Sequence, residues 1–248
     1  AFYAASSYSK THFNYFREED AFSLNELLAP LTDEQENQVL FDNNLISIKS
    51  EKEFTENKKP TTHTHQICTS MLQRERLAFL LEYGFAYVKG EKSLEKHIMR
   101  YPQLFATKAI ESTLEQGNKK GIIWHTQGSG KTALSYFNVR YLTNYFKRKG
   151  KVAKFYFIVD RISLLIQADK EFKARGLTVH KINSREAFSK DIKSPVAIHN
   201  DSGKSEITVV NIQKFEDDPN VIKLNDYNVN IQRVFFLDEV HRSYNPKG

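Results

Sequence analysis

The stretch Gly121–Thr132 reads GIIWHTQGSGKT, an apolar run, then a Gly-rich turn, then a Lys-Thr pair. Gly121–Trp124 has the composition of a short strand and Thr132–Lys149 the spacing of a helix, so the turn joins a strand end to a helix start. Gly128 and Gly130 open backbone conformations closed to other residues and let amide groups approach an anion closely. The following helix directs the positive end of its dipole at the same point. Lys131 is then placed to neutralise β- and γ-phosphates and the Thr132 hydroxyl to ligate Mg²⁺, with Thr126, Gln127, Gly128, Ser129 and Gly130 forming the cradle. His125 stands where the simplest form of this loop has its first Gly. The two later glycines and the Lys-Thr pair carry the phosphate contacts, so an ATP and Mg²⁺ site is the expectation.

A second segment supplies what the loop lacks. Val234-Phe235-Phe236-Leu237 is a buried-type strand, and Asp238 and Glu239 follow at its carboxyl end. Ligands of parallel sheets bind at those ends, which predicts Asp238 beside the loop although the two are far apart in the chain. Asp238 would hold Mg²⁺ through water, because Mg²⁺ keeps much of its hydration shell. Glu239 would orient and deprotonate the attacking water.

Between and around these segments, short apolar strands alternate with helical stretches. Val152–Val159, Leu177–Ile182, Ile207–Ile212 and Arg233–Leu237 read as strands and Ile162–Ala174 as a helix, a pattern that predicts a largely parallel sheet flanked by helices. Upstream, Glu34–Leu45 reads as a short helix or turn, Glu51–Gln66 as a polar linker, and Met71–Val88 and Ile98–Gln116 as helices. The predicted division is a mixed, mostly helical segment over 1–95 and an ATP-binding domain over 96–248.

Composition narrows the classes. With 40% hydrophobic and 27% charged residues the chain is of ordinary globular type, and its apolar runs fall short of a membrane span. Cys68 is the single cysteine, so neither a disulfide framework nor a cysteine metal site is available. His63 and His65 lack partners at ligand spacing. The net charge of +6 is compatible with a polyanionic partner. The chain opens without Met and without a signal-type stretch, so it reads as a piece of a longer cytoplasmic polypeptide.

Four segments in order, WHTQGSGKT, VDRISLLIQ, ITVVNIQKF and FLDEVHRS, resemble the motor region of the R (restriction) subunit of type I restriction enzymes, which are superfamily 2 helicase-like DNA translocases. The resemblance implies a RecA-like P-loop domain that couples ATP hydrolysis to movement along double-stranded DNA. It also implies modification and specificity subunits as partners, and no membrane. RYPQLFA, Arg100–Ala106, resembles the segment preceding this family's loop; Gln103 would recognise adenine and Tyr101 stack on it. By the same resemblance Asp160, Arg161 and Gln167 belong to one track-lining motif, Thr208, Gln213 and Lys214 to another, and His241 links the ATP site to the track. The family's nuclease core has no counterpart in residues 1–120. A second RecA-like domain with its arginine finger is also missing, so this piece alone is expected to be an incompetent motor. Other superfamily 2 helicases, acting on RNA or on repair intermediates, and a nucleotide-binding module that docks a subunit remain as alternatives.

Overall fold

Val152–Val159 is apolar at almost every position, as suits a strand covered on both faces. In the computed structural model it lies inside a four-stranded sheet. The structure describes residues 2–3, 14–18, 27–59, 61–90, 93–126, 128–198, 204–212 and 230–238. The chain divides into two compact units, Ala1–Phe85 with Ile98–Phe105, and Ala86–His97 with Ala106–Gly248.

In the first unit α1 (Asp33–Asp42) starts at a capping box, in which Thr32 and Gln35 satisfy each other's backbone amides. It is followed by α2 (Lys52–Asn57), α3 (His63–Leu72) and α4 (Arg74–Phe79). The polar stretch Glu51–Gln66 is therefore no linker. Thr62 caps α3 by accepting from the His65 amide, and the Thr/His run folds as helix. The chain then leaves the helical path expected over Met71–Val88 and forms a hairpin, β1 (Phe85–Lys89) with β2 (Leu94–Ile98), of which Ala86–His97 belongs to the second unit. The buried Arg76 guanidinium donates to both oxygens of Glu18, at 2.9 and 2.8 Å, and to the Ser70 hydroxyl at 2.9 Å.

The second unit carries the alternation. After α5 (Tyr101–Glu115) come α6 (Lys131–Arg148), β3 (Val152–Val159), α7 (Ile162–Ala174), β4 (Thr178–Ile182), α8 (Arg185–Lys193), β5 (Glu206–Asn211) and β6 (Ile231–Leu237). The sheet order is β4-β5-β3-β6, and every pairing is parallel. Successive side chains of a strand alternate faces. Tyr156 and Ile158 of β3 pack with Phe188 and Ile192 of α8 on one face. Phe157 meets Phe172 of α7 edge-to-face at 5.2 Å on the other, where α6 also packs. This is the α/β layering expected of a RecA-like domain.

One expected strand does not form. Gly121–Trp124 joins no ladder, and Ile122 and Trp124 are 93% and 92% exposed. A strand is stable only where a neighbour takes its backbone groups. Among the described residues none is offered to this one.

Candidate nucleotide-binding site

The position of the loop follows from lengths. Helix α6 has 18 residues and so spans about 27 Å. Strand β3 has 8 residues and spans about 26 Å. The turn between them is tight: Gly150 takes φ 70° and the Lys151 amide donates back to Phe146 at 2.9 Å. The helix therefore doubles back along the strand, and its first residue, Lys131, lies level with the carboxyl end of β3. Asp238 reaches the same end by a different route. Leu237 pairs with Ile158, and the Asp238 amide donates to the Ile158 carbonyl at 3.0 Å. Loop and carboxylate, distant in sequence, are both directed to the carboxyl end of the sheet.

The loop itself has the features that an anion requires. Gly128 and Gly130 sit at φ +76° and +86°, in the left-handed region that favours glycine. Helix α6 begins at Gly130, whose lack of a side chain leaves the helix start without a capping side chain of its own. The Ser129 hydroxyl is buried and has no hydrogen-bond partner among the described residues. A buried hydroxyl without a partner among the described residues, a helix start at a positive-φ glycine, Lys131 and Thr132 in the first helical turn, and a half-buried Asp238 fit a phosphate chain with a divalent cation. Thr132 and Asp238 are the residues that would hold the Mg²⁺, and Lys131 the phosphates. Gln127, Glu239 and His241 lie outside the described residues.

The remaining expected residues fall into three groups. Asp160 and Arg161 follow β3 at the same sheet end; the Asp160 carboxylate is buried, 3.7 Å from the exposed Arg161 guanidinium. Gln167 is exposed on α7. Thr208 is different, because it sits in the middle of β5 between Tyr156 and His180 and is 3% exposed. Its hydroxyl cannot touch a polyanion in this conformation; the apolar strand that carries it is buried on both faces. Gln213 and Lys214 lie outside the described residues. Gln103 and Tyr101 belong to the first unit. The Gln103 carboxamide is buried and accepts from the Arg100 amide at 2.9 Å, which closes the first turn of its own helix. Tyr101 packs edge-to-face on Tyr15 and Phe16, at 6.2 and 6.4 Å. Both side chains thus have partners within the first unit.

Residues 96–247 match the family model described as Type III restriction enzyme, res subunit. The chain belongs to this family. Relatives carry the same theme. The chain is 34% identical over 132 residues to the putative type I restriction enzyme MjaVIIP endonuclease subunit of Methanocaldococcus jannaschii, covering 46% of this chain and 12% of that protein. It is 28% identical over 211 residues to the type I restriction enzyme SauCOLORF180P endonuclease subunit of Staphylococcus aureus, covering 77% and 21%. With the SsaAORF53P subunit of Staphylococcus saprophyticus the identity is 31% over 149 residues, covering 58% and 14%. The chain therefore spans between about an eighth and a fifth of the length of these relatives. Family and relatives agree on a helicase-like restriction subunit, as the four motifs imply. They differ on the type.

Sequence reading missed two groups in the second unit. Asn138 and Thr107 form a fully buried polar pair between α5 and α6. Lys154 is buried at 3% exposure, 3.1 Å from Asp191, whose carboxylate also accepts from Tyr156. The only local signal was a polar residue on an otherwise apolar stripe, Asn138 between Leu134 and Leu142, and a Lys inside the strand VAKFYFIV.

Proposed function

We propose that this chain is the ATP-binding part of the motor of a type I restriction endonuclease R subunit, coupling ATP hydrolysis to translocation on double-stranded DNA. What supports this reading is that the Gly128–Thr132 loop opens α6, which turns back along β3, while Asp238 follows β6 at the carboxyl end of the same parallel sheet. ATP is the nucleotide and Mg²⁺ its counter-ion, and the bound cation would offset the charge of the phosphates. Lys131 and the first amides of α6 bind and orient the γ-phosphate end, while Thr132 and Asp238 fix the cation. Glu239, next in sequence to Asp238, orients a water and takes its proton. Arg161 and Gln167, with Gln213 and Lys214, belong to the DNA track. His241 connects the two sites.

The nuclease domain that cuts DNA, the second RecA-like domain, and the modification and specificity subunits lie outside this chain in the proposed cytoplasmic complex. Residues 96–248 form the motor domain and 1–95 the end of what precedes it. No helix among the described residues is long and apolar enough to cross a membrane.

The test is ATPase activity of the full-length polypeptide. Stimulation by duplex DNA, loss of turnover in Lys131→Ala, and binding without hydrolysis in Glu239→Gln are the expected results. Equal stimulation by RNA would make it a general helicase. Hydrolysis indifferent to any nucleic acid would leave only a docking module.

A further inference from the structure

Two polar links tie α5 to α6 and a third ties it to the residue that caps α6, and all three climb in the same direction along both segments. Thr107 meets Asn138, Glu111 meets Tyr141, and Glu115 meets Lys149 at 3.0 Å. The helices therefore run parallel, and the first two links, three to four residues apart on each helix, lie about one turn from each other. Asn138 is the link nearest the phosphate loop, two turns after Lys131. Its Nδ2 donates to the Thr107 hydroxyl at 3.2 Å and to the Leu134 carbonyl at 2.9 Å. Both Asn138 and Thr107 are 0% exposed, and the Asn138 Oδ1 is buried with no hydrogen-bond partner among the described residues.

That arrangement is poor for stability. An amide in a dry helix interface, with half of its hydrogen-bonding capacity unmet, is worse than a leucine of similar volume. Buried polar pairs of this kind are best attested as devices that fix register. Register is what the loop needs. Helix α6 is buried from Leu134 through Phe146 by apolar packing, which is non-directional and tolerates sliding. The segment before the loop joins no ladder. Lys131 and Thr132 thus take their axial position from α6.

We infer that Asn138, through Thr107, is a positioning residue that sets the axial register of the phosphate-loop helix for nucleotide binding. The inference rests on the nucleotide reading of the loop. Asn138 touches no substrate; it acts through the helix that carries Lys131. A shift of α6 by a fraction of an ångström would move Lys131 and the first amides together, and such misplacement is costly where a charged ligand must be met by several groups at once.

The experiment compares Asn138→Leu and Thr107→Val in the full-length polypeptide, measuring thermal midpoint and affinity for a fluorescent ATP analogue with Mg²⁺. The expected result for Asn138→Leu is an unchanged or raised midpoint with affinity about tenfold weaker. Thr107→Val, nearly isosteric, should weaken affinity in the same direction and keeps the test valid if the leucine variant misfolds. The swapped pair Asn138→Thr with Thr107→Asn restores the cross-helix bond and should recover affinity relative to either single change. Wild-type affinity in both single variants would overturn the positioning role, and so would affinity losses that merely track a falling midpoint. A wild-type protein that binds no nucleotide would instead overturn the reading of the loop itself.

Discussion

Gly128 and Gly176 offer a matched pair for testing the loop. Both hold positive φ, +76° and +85°, and a Cβ built at either meets nothing within 4 Å. Replacing either with alanine therefore costs only the left-handed backbone, about 1–2 kcal/mol. Where that cost appears should differ. Gly176 is clamped at the end of α7, its amide donating to Lys173 at 3.0 Å and the next to Phe172 at 3.1 Å. The native fold cannot release it, so Gly176→Ala should lower the melting temperature by about 2–8 °C and leave nucleotide affinity alone. The exposed Gly128 has a single such bond beside it, Ser129 to Thr126 at 3.3 Å. The free loop in Gly128→Ala can relax to negative φ, and the cost returns when a phosphate demands the original shape. At 1.4 kcal/mol per tenfold the expected loss of ATP affinity is about 5–30-fold, with little change in melting. Fluorescent-nucleotide titration and thermal melts on both variants check this. If Gly128→Ala binds at wild-type strength, or if both variants lose affinity alike, the loop is not the anion cradle inferred from its geometry.

Further outcomes follow from the same coordinates. Lys154→Met removes the cation beside the Asp191 carboxylate, which keeps its bond from Tyr156, and takes a donor from two carbonyls, of Asp191 and Val196, that the amine now serves at 3.0 and 3.1 Å. The expected cost is about 3–5 kcal/mol, or about 6–20 °C in melting temperature, and a loss under 1 kcal/mol in urea unfolding would show the pair to be idle. Burial raises the Asp169 carboxyl pKa, but hydrogen bonds from Lys173 and Lys181 more than offset this, so the native value lies below the ordinary one. Its stabilisation is full above the unfolded pKa of about 3.9 and fades as pH falls through the native value. Asp169→Asn should flatten that acid limb and cost about 1 kcal/mol at neutral pH, read from urea curves across pH. The exposed Arg161 guanidinium is placed to meet a phosphate if the sheet end faces the track. Arg161→Ala should then reduce the slope of log affinity for duplex DNA against log salt by about 0.9, measured by fluorescence anisotropy.

What could be read from the sequence was whatever local chemistry dictates. The turn into α6 was legible because Gly128 and Gly130 are the residue type that accepts the positive φ they take there. Ile162–Ala174 and Val152–Val159 were legible to the residue, because a helical stripe and an unbroken apolar run each suit one environment. Gln103 shows the opposite case. Its role as helix cap is as local as the loop's, since Arg100 stands three residues before it, yet its residue type alone could not choose between a cap and a base contact. The Thr/His run at 61–66 looked like linker because its polarity was legible and its Thr62 cap was not given weight. Ser70 and Arg76 were beyond reach altogether: their partner, Glu18, is more than fifty residues away. Gly121–Trp124 has a strand's composition, but composition states what a segment needs, and the described residues do not supply it.

The two halves of the site are held by different physics. Asp238 rides on β6, whose ladder with β3 runs unbroken from Ile231 to Leu237. Ladder register is quantised, and a slip of one residue would turn every side chain of the strand to the opposite face. Strand β6 cannot approach that error gradually, so the Asp238 carboxylate, proposed to hold the cation, is either in place or absent. Lys131 rides on a helix held by aromatic and aliphatic packing, which is graded and can drift by fractions of an ångström. A site that needs both groups within hydrogen-bonding precision must then restrain the graded half by direct bonds. Those are the bonds that α5 provides at Thr107 and Glu111, and this explains why polar atoms are spent in an interface that would be more stable without them.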